Sequence, residues 1–243
     1  MNMKIEELFP HTFKALARQI DSRPYWQRCQ SCQSAFCQAL VGNGYLSEMQ
    51  MQQAVVRYRL GASRDGGVIF WQIDEHEIPH DGKIMYYRND CHRDHDHRPI
   101  WTSYLLRQKG LIPDDWKPEH CLFGLHLLRS VKGEVKSEAL RTVAVVESEK
   151  TAVIMSVLKP DCLWLATGGK TELSVAKLKP LCQHKVILFP DTDENGQTYR
   201  EWYDIAEAAG DVYGHPFTVS SLLEQHATPT QKAAKIDLVD YLF

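Results

Sequence analysis

TVAVVE (142–147), CLWLAT (162–167) and KVILFPD (185–191) are the three runs that decide the fold. Each is short, apolar and unbroken. Between them lie EKTAVIMSVLKP and KTELSVAKLKPLC, with TYREWYDIAEAAG after the third, all of helical character. A sheet with one wet face would alternate polar and apolar residues, whereas continuous apolar strands spaced by helices are parallel strands covered on both faces. The pattern predicts a β-α-β-α-β-α unit with right-handed crossovers. The expected class is α/β, a C-terminal Rossmann-like parallel sheet with helices on both faces, behind a smaller α+β region.

In an open parallel sheet, ligands bind outside the carboxyl ends of the strands, where loops and helix N-termini converge. Glu147 closes the first strand, and Asp191 and Asp193 close the third. Carboxylates gathered at one edge repel unless a cation sits among them, and hard oxygen ligands suit Mg²⁺ or Mn²⁺. The alternative is that strand-end acids cap the helices that follow, where the helix dipole favours negative charge. ATGGK (166–170) follows the second strand, and its Gly168 and Gly169 amides with the Lys170 ammonium are candidates for holding a phosphate. In IDLVDYL (236–242), Asp237 and Asp240 stand three apart, on one face if the segment is helical.

Working outward, residues 4–40 carry apolar positions at helical spacing up to a break at Ser22-Arg23-Pro24, and Ser47 with Gln50 predicts the start of a second helix running towards Leu60. GGVIFWQID (66–74) and GKIMYYRND (82–90) predict an antiparallel hairpin, with Pro79 and Asp81-Gly82 supplying the turn. CHRDHDHRPIW (91–101) predicts a solvated loop, and the polar, charged stretch 130–141 a connector. The expected division is a helical segment 1–50, an α+β region 51–138 and the parallel α/β domain 139–243.

The chain has 243 residues, 44% apolar and 24% charged, with a formal net charge of −3, so any nucleic-acid binding must use a local basic patch. Arg57, Arg59, Arg64, Lys83, Arg88, Arg93 and Arg98 stand among Tyr58, Phe70, Trp71, Tyr86 and Tyr87, a mixture suited to single-stranded nucleic acid, with Arg59 and Lys83 as phosphate contacts. No stretch approaches the roughly 18 apolar residues of a membrane span. The N-terminus has no signal-peptide pattern, so a cytoplasmic protein with reduced thiols is expected. Cys121, Cys162 and Cys182 are expected in the core. Cys29, Cys32 and Cys37 hint at zinc, but a fourth ligand is missing, which argues against it.

VVESEKTA with Glu147, followed by LFPDTDENG with Asp191 and Asp193, resembles the Toprim domain shared by bacterial and phage primases, topoisomerases and related nucleases. KIDLVDYL is similar to the motif that closes this domain in phage-type primase-helicases. From about Tyr58 onward, through YRLGASRDGGVIFWQID, GKIMYY, CLFGLHLL, WLATGGK and FTVSSLLEQHAT, the chain resembles primase-like Toprim proteins of unknown function found in Bacteroidetes and mobile elements.

That resemblance implies metal-dependent phosphoryl transfer on nucleic acid. Glu147 would be a ligand or general acid/base, Asp191 and Asp193 would hold Mg²⁺ or Mn²⁺, Asp237 or Asp240 would complete the edge, and Lys150 would face phosphate. Primer synthesis on single-stranded DNA or RNA from nucleotides is the leading expectation. The others are a non-catalytic binding module serving a helicase and a Toprim nuclease. Two positions depart from the family pattern: Ser148 replaces the usual glycine, and Thr151 replaces an acid.

Overall fold

The structure is a computed structural model and describes residues 34–129 and 142–243. The chain divides into two compact units, Met1–Leu127 and Leu128–Phe243. The helix expected in the first 33 residues, Cys29, Cys32 and the connector at 130–141 lie outside the described residues.

The first unit begins with helices α1 (Ala35–Gly42) and α2 (Glu48–Tyr58). Ser47 caps α2 through the expected capping box with Gln50, and Arg59 ends it in the left-handed conformation at φ 52°. Four antiparallel strands follow in spatial order β1 (Gly61–Ala62), β2 (Val68–Ile73), β3 (Pro79–Met85) and β4 (Ile100–Trp101), and then helix α3 (Thr102–Gln108). Every residue of β2 is buried. Ile69, Trp71 and Ile73 share one cluster with Leu106 and Trp116. Phe70, which points the other way by strand alternation, meets Phe36 and Phe123 edge-on, each at 5.4 Å between ring centres. A sheet covered on both faces explains why GGVIFWQID lacks the alternation of a half-wet strand.

The hairpin forms, but its turn is not the expected one. Asp74 builds it, its Oδ1 accepting the backbone N–H groups of His76 at 2.8 Å and Ile78 at 2.9 Å while Glu77 takes φ 68°. Asp81 and Gly82 instead lie inside β3, opposite Gln72 and Trp71. Gly82 is required there by close approach, since a Cβ would stand 2.7 Å from Trp71 Cε3. Asp81 is fully buried and accepts from Gly82 N–H at 2.7 Å, Thr102 Oγ1 at 2.7 Å and Ser103 N–H at 3.0 Å. A carboxylate so supplied with donors ties β3 to the start of α3.

In the second unit, β5 (Thr142–Val146), α4 (Glu149–Leu158), β6 (Cys162–Ala166), α5 (Val175–Leu178), a 3₁₀ turn (Lys179–Leu181), β7 (Val186–Phe189), α6 (Gln197–Tyr213) and β8 (Phe217–Val219) follow in sequence. Short helices α7 (Leu222–His226), α8 (Pro229–Ala234) and α9 (Leu238–Leu242) close the chain. The sheet order is β6-β5-β7-β8 and all pairings are parallel, as the apolar runs predict. The segment KTELSVAKLKPLC gives only one turn of α-helix because Ser174 caps it late and Pro180 stops it. Right-handed crossovers put α4 on one face and α5 with α6 on the other, consistent with α5 packing on α6 and α9 on α4. Cys162 and Cys182, expected in the core, are partly exposed, as is Cys121 in the first unit. Among the described residues, no helix is long and apolar enough to cross a membrane.

Candidate metal and phosphate site

The chain lays down β5, steps outward to β6, then returns past β5 to β7 and β8. The crevice of the sheet therefore opens between the carboxyl ends of β5 and β7, where strand order reverses. Glu147 follows β5 directly, Asp191 stands two residues beyond β7, and the packing of α9 on α4 brings Asp237 and Asp240 to the same edge. The Asp191 carboxyl registers this crowding. It is raised well above the usual carboxylate range, first by burial, then by the charges of Glu147, Asp237 and Asp240, against which the Lys150 ammonium acts in the opposite sense.

The two departures from the Toprim pattern have structural roles. Ser148 is the N-cap of α4, its Oγ accepting the Thr151 N–H at 3.1 Å. Thr151 is fully buried and donates its hydroxyl to Asp237 Oδ2 at 2.5 Å, fastening α9 to α4. Asp237 also accepts the N–H groups of Val239 and Asp240 on Oδ1, each at 2.8 Å, and in return the Asp237 N–H donates to Asp240 Oδ2 at 3.2 Å. This pair is thus the capping box of α9, with Asp237 preceding the helix rather than sharing a face of it. The Lys150 ammonium lies 3.9 Å from Asp237 Oδ2 and 3.8 Å from Asp240 Oδ1.

Asp193 is turned away to begin α6. Its Oδ1 accepts the N–H groups of Asn195 and Gln197, both at 3.0 Å, and its Oδ2 accepts the N–H of Thr198 at 2.7 Å and its hydroxyl at 2.6 Å. Burial acts to raise this carboxyl, but the Thr198, Gln197 and Asn195 bonds outweigh it and hold it far below the usual range. Lys170 approaches Asp193 at 4.0 Å. Thr192 pins the loop between the two aspartates, its N–H donating to Ile236 O at 3.2 Å and its hydroxyl to Glu224 Oε1 at 2.9 Å. Lys232 in turn donates to Glu224 Oε2 at 3.0 Å. Nothing in the sequence pattern pointed to Thr192 and Glu224, because their pairing joins residues 32 apart.

The glycine loop is differently used from the expectation. Gly168, at φ 89°, donates its N–H to Glu147 O at 3.0 Å, and the Gly169 N–H faces Thr167 Oγ1 at 3.5 Å. These amides brace the end of β5 and set the Glu147 backbone.

Whether a divalent ion fits can be judged from the donors. Among the described residues, no three His, Cys, Asp or Glu side chains form a ready metal cluster. Asp193 and Asp237 have both oxygens engaged in hydrogen bonds. Mg²⁺, however, keeps several waters and is bound through one or two carboxylates plus substrate phosphates rather than in an all-protein cage. The Asp191 carboxyl, which accepts no hydrogen bond among the described residues and is raised by Glu147 beside it, suits that mode. Glu147 and Asp191 are the residues that could hold such an ion.

In the first unit, the aromatics expected to stack on bases are mostly spent in the core. Tyr58, Phe70 and Trp71 are buried, and Tyr87 packs at 4.8 Å on Phe36. Arg59 pairs with Glu77, and Lys83 lies in β3 opposite Phe70. Arg64, Arg88, Arg93 and Arg98 are exposed. In the loop 91–99, His97 stacks on Tyr86 at 4.7 Å and is oriented by Asp94 Oδ2 at 2.7 Å. Cys37 is buried on α1.

Fold and site together define a two-unit protein carrying an α/β domain with an acidic crevice at its topological switch point. The chain belongs to the family described as "Domain of unknown function (DUF6371)", whose model matches residues 34–192. No curated protein matches the sequence. Among solved structures, the chain is similar to the primase fragment of the bacteriophage T7 primase-helicase protein, at 14% identity and a TM-score of 0.42, covering 75% of this chain and 70% of that one. It is also similar to the Aquifex aeolicus primase, zinc-binding and RNA polymerase domains, at 13% identity and a TM-score of 0.44, covering 76% of this chain and 52% of that one. The chain thus spans about half the length of the second.

Proposed function

We propose that the second unit is a Toprim-like centre for metal-dependent phosphoryl transfer on nucleic acid, and that its reaction is primer synthesis on single-stranded DNA. The observation that carries this is the convergence of Glu147, Asp191, Asp237 and Asp240 at the switch point of a parallel sheet, where burial and then the neighbouring charges raise the Asp191 carboxyl. Carboxylates gathered at a ligand-binding edge repel one another, and a cation bound among them offsets that repulsion.

Glu147 and Asp191 would hold Mg²⁺ or Mn²⁺, which when bound neutralises charge on the transferring phosphate and orients the reacting oxygens. The Gly168 N–H fixes the Glu147 backbone, and Thr192 fixes the Asp191 loop through Ile236 and Glu224. Lys170 stands on the adjacent loop as a phosphate contact once it leaves Asp193. In the first unit, Arg88, Arg93 and Arg98 with the exposed His97 ring would grip the strand, by phosphate pairing and base stacking.

The test is incubation with single-stranded DNA, labelled nucleoside triphosphates and Mg²⁺ or Mn²⁺, beside Glu147→Gln. Extension products from the wild type alone support a primase, whereas shortened DNA would make it a nuclease. Neither product, with the strand still retarded in a gel, would leave a binding module that serves a partner such as a helicase.

A further inference from the structure

We infer that Lys150 is a built-in cation of the acidic edge and that it holds the place a second divalent ion would take, so that the site binds one ion and not two. The inference rests on the metal reading above for the ion at Glu147 and Asp191. Its own ground is the position of the Lys150 ammonium beside Asp237 and Asp240.

The ammonium stands 3.9 Å from Asp237 Oδ2 and 3.8 Å from Asp240 Oδ1, on a side chain only 14% exposed. It therefore approaches both carboxylates and is shielded from most of the solvent screening that weakens surface pairs. Asp237 has both oxygens engaged as acceptors, Oδ1 from the N–H groups of Val239 and Asp240 and Oδ2 from the Thr151 hydroxyl, so its carboxylate is held in place facing the ammonium. Something positive must offset it, and Lys150 is the cation found there.

A two-ion site places its metals about 3.5–4 Å apart, so that each shares ligands and phosphate oxygens with the other. Here the second ion would need Asp237 and Asp240, the carboxylates that Lys150 already faces. A dication that close to an ammonium is strongly repelled. Thr151 acts in the same direction: where a further acid would add a ligand, it offers a hydroxyl that is spent on Asp237.

The experiment uses the full chain, stripped with EDTA, as wild type, Lys150→Met, Lys150→Gln and Lys150→Arg. Two quantities are read: the melting temperature without metal, and the number of Mn²⁺ ions bound by calorimetric titration. Expected are one ion in the wild type, a metal-free melting temperature lower by roughly 3 °C in Lys150→Met and Lys150→Gln, recovery in Lys150→Arg, and a second, weaker Mn²⁺ in the two neutral variants. Two ions in the wild type overturn the inference. So does an unchanged metal-free melting temperature in both neutral variants. A wild type that takes no ion, with the neutral variants still destabilised in EDTA, refutes the metal reading while supporting the lysine as the cation of this edge.

Discussion

Asp191 and Asp193 are two residues apart and chemically alike, yet the fold gives them opposite conditions. Asp193 receives backbone and hydroxyl donors at the start of α6, which favour its charged form. Asp191 receives none among the described residues and feels the charges of Glu147, Asp237 and Asp240. Without a metal ion, the charge on Asp191 is opposed by burial and by its acidic neighbours and only partly offset by Lys150, so it works against the folded state. Asp191→Asn, which keeps the shape and removes the charge, is accordingly expected to raise the metal-free melting temperature while abolishing Mn²⁺ binding in calorimetric titration. A variant less stable than the wild type in EDTA would show that the crowding is not a burden. Asp193→Asn is expected to lower stability instead, because an amide nitrogen in place of Oδ2 cannot accept both the N–H and the hydroxyl of Thr198.

At the scale of elements, the Thr151 hydroxyl ties α4 to Asp237 at the start of α9, beside the Lys150 ammonium. Thr151→Val keeps the shape of the side chain but leaves Asp237 Oδ2 without its donor in a buried position, a loss of about 2 kcal/mol by the cost of stranding a buried acceptor. Thr151→Ser is expected to keep most of the stability, and thermal melts of the two variants separate lost packing from the lost bond. The same scale shows what could be foreseen from sequence. The parallel sheet was legible because buried strands must be apolar throughout, and α2 because Ser47 and Gln50 advertise its cap locally. The hairpin turn was misplaced because Asp81-Gly82 carries turn chemistry in isolation. Only the Trp71 ring across the strand pair and the donors Thr102 and Ser103, some 20 residues on, make it a strand interior. In the site, the strand-end acids were visible, but which oxygen would be consumed by capping was not. That depends on where α6 and α9 begin, at Gln197 and Leu238, and on a threonine 86 residues away from its partner.

At the scale of the whole molecule, acid stability is expected to be set in the first unit. His126 is buried, donates from Nε2 to Arg57 O at 3.1 Å, and is held at about 4, chiefly by burial, with Arg59 adding to the effect and Glu77 opposing it. A histidine that titrates near 6.5 when unfolded and about 4 when folded binds fewer protons in the native state. Its contribution is therefore complete above pH 6.5, declines as pH falls and is gone below pH 4. The loss is about 2 kcal/mol by pH 5. His126→Gln retains an N–H donor without the titration, so denaturant midpoints measured at pH 7.5 and pH 5 should separate less in the variant than in the wild type.

The division into two units carries the last expectation. The unit Leu128–Phe243 contains the parallel sheet, its covering helices and every side chain assigned to the acidic edge, and compact units with their own core fold alone. Expressed by itself, this fragment should melt cooperatively and take up Mn²⁺ with the stoichiometry of the full chain, because Glu147, Asp191 and Lys150 all lie within it. Strand retention should differ. The exposed arginines at 88, 93 and 98 and the His97 ring belong to the first unit, so a gel shift with single-stranded DNA should be lost in the fragment while metal binding persists. A fragment that binds the strand as tightly as the full chain would move the grip onto the second unit, to Lys170 and its loop. A cooperative fragment that takes no metal would remove the ion from the edge altogether.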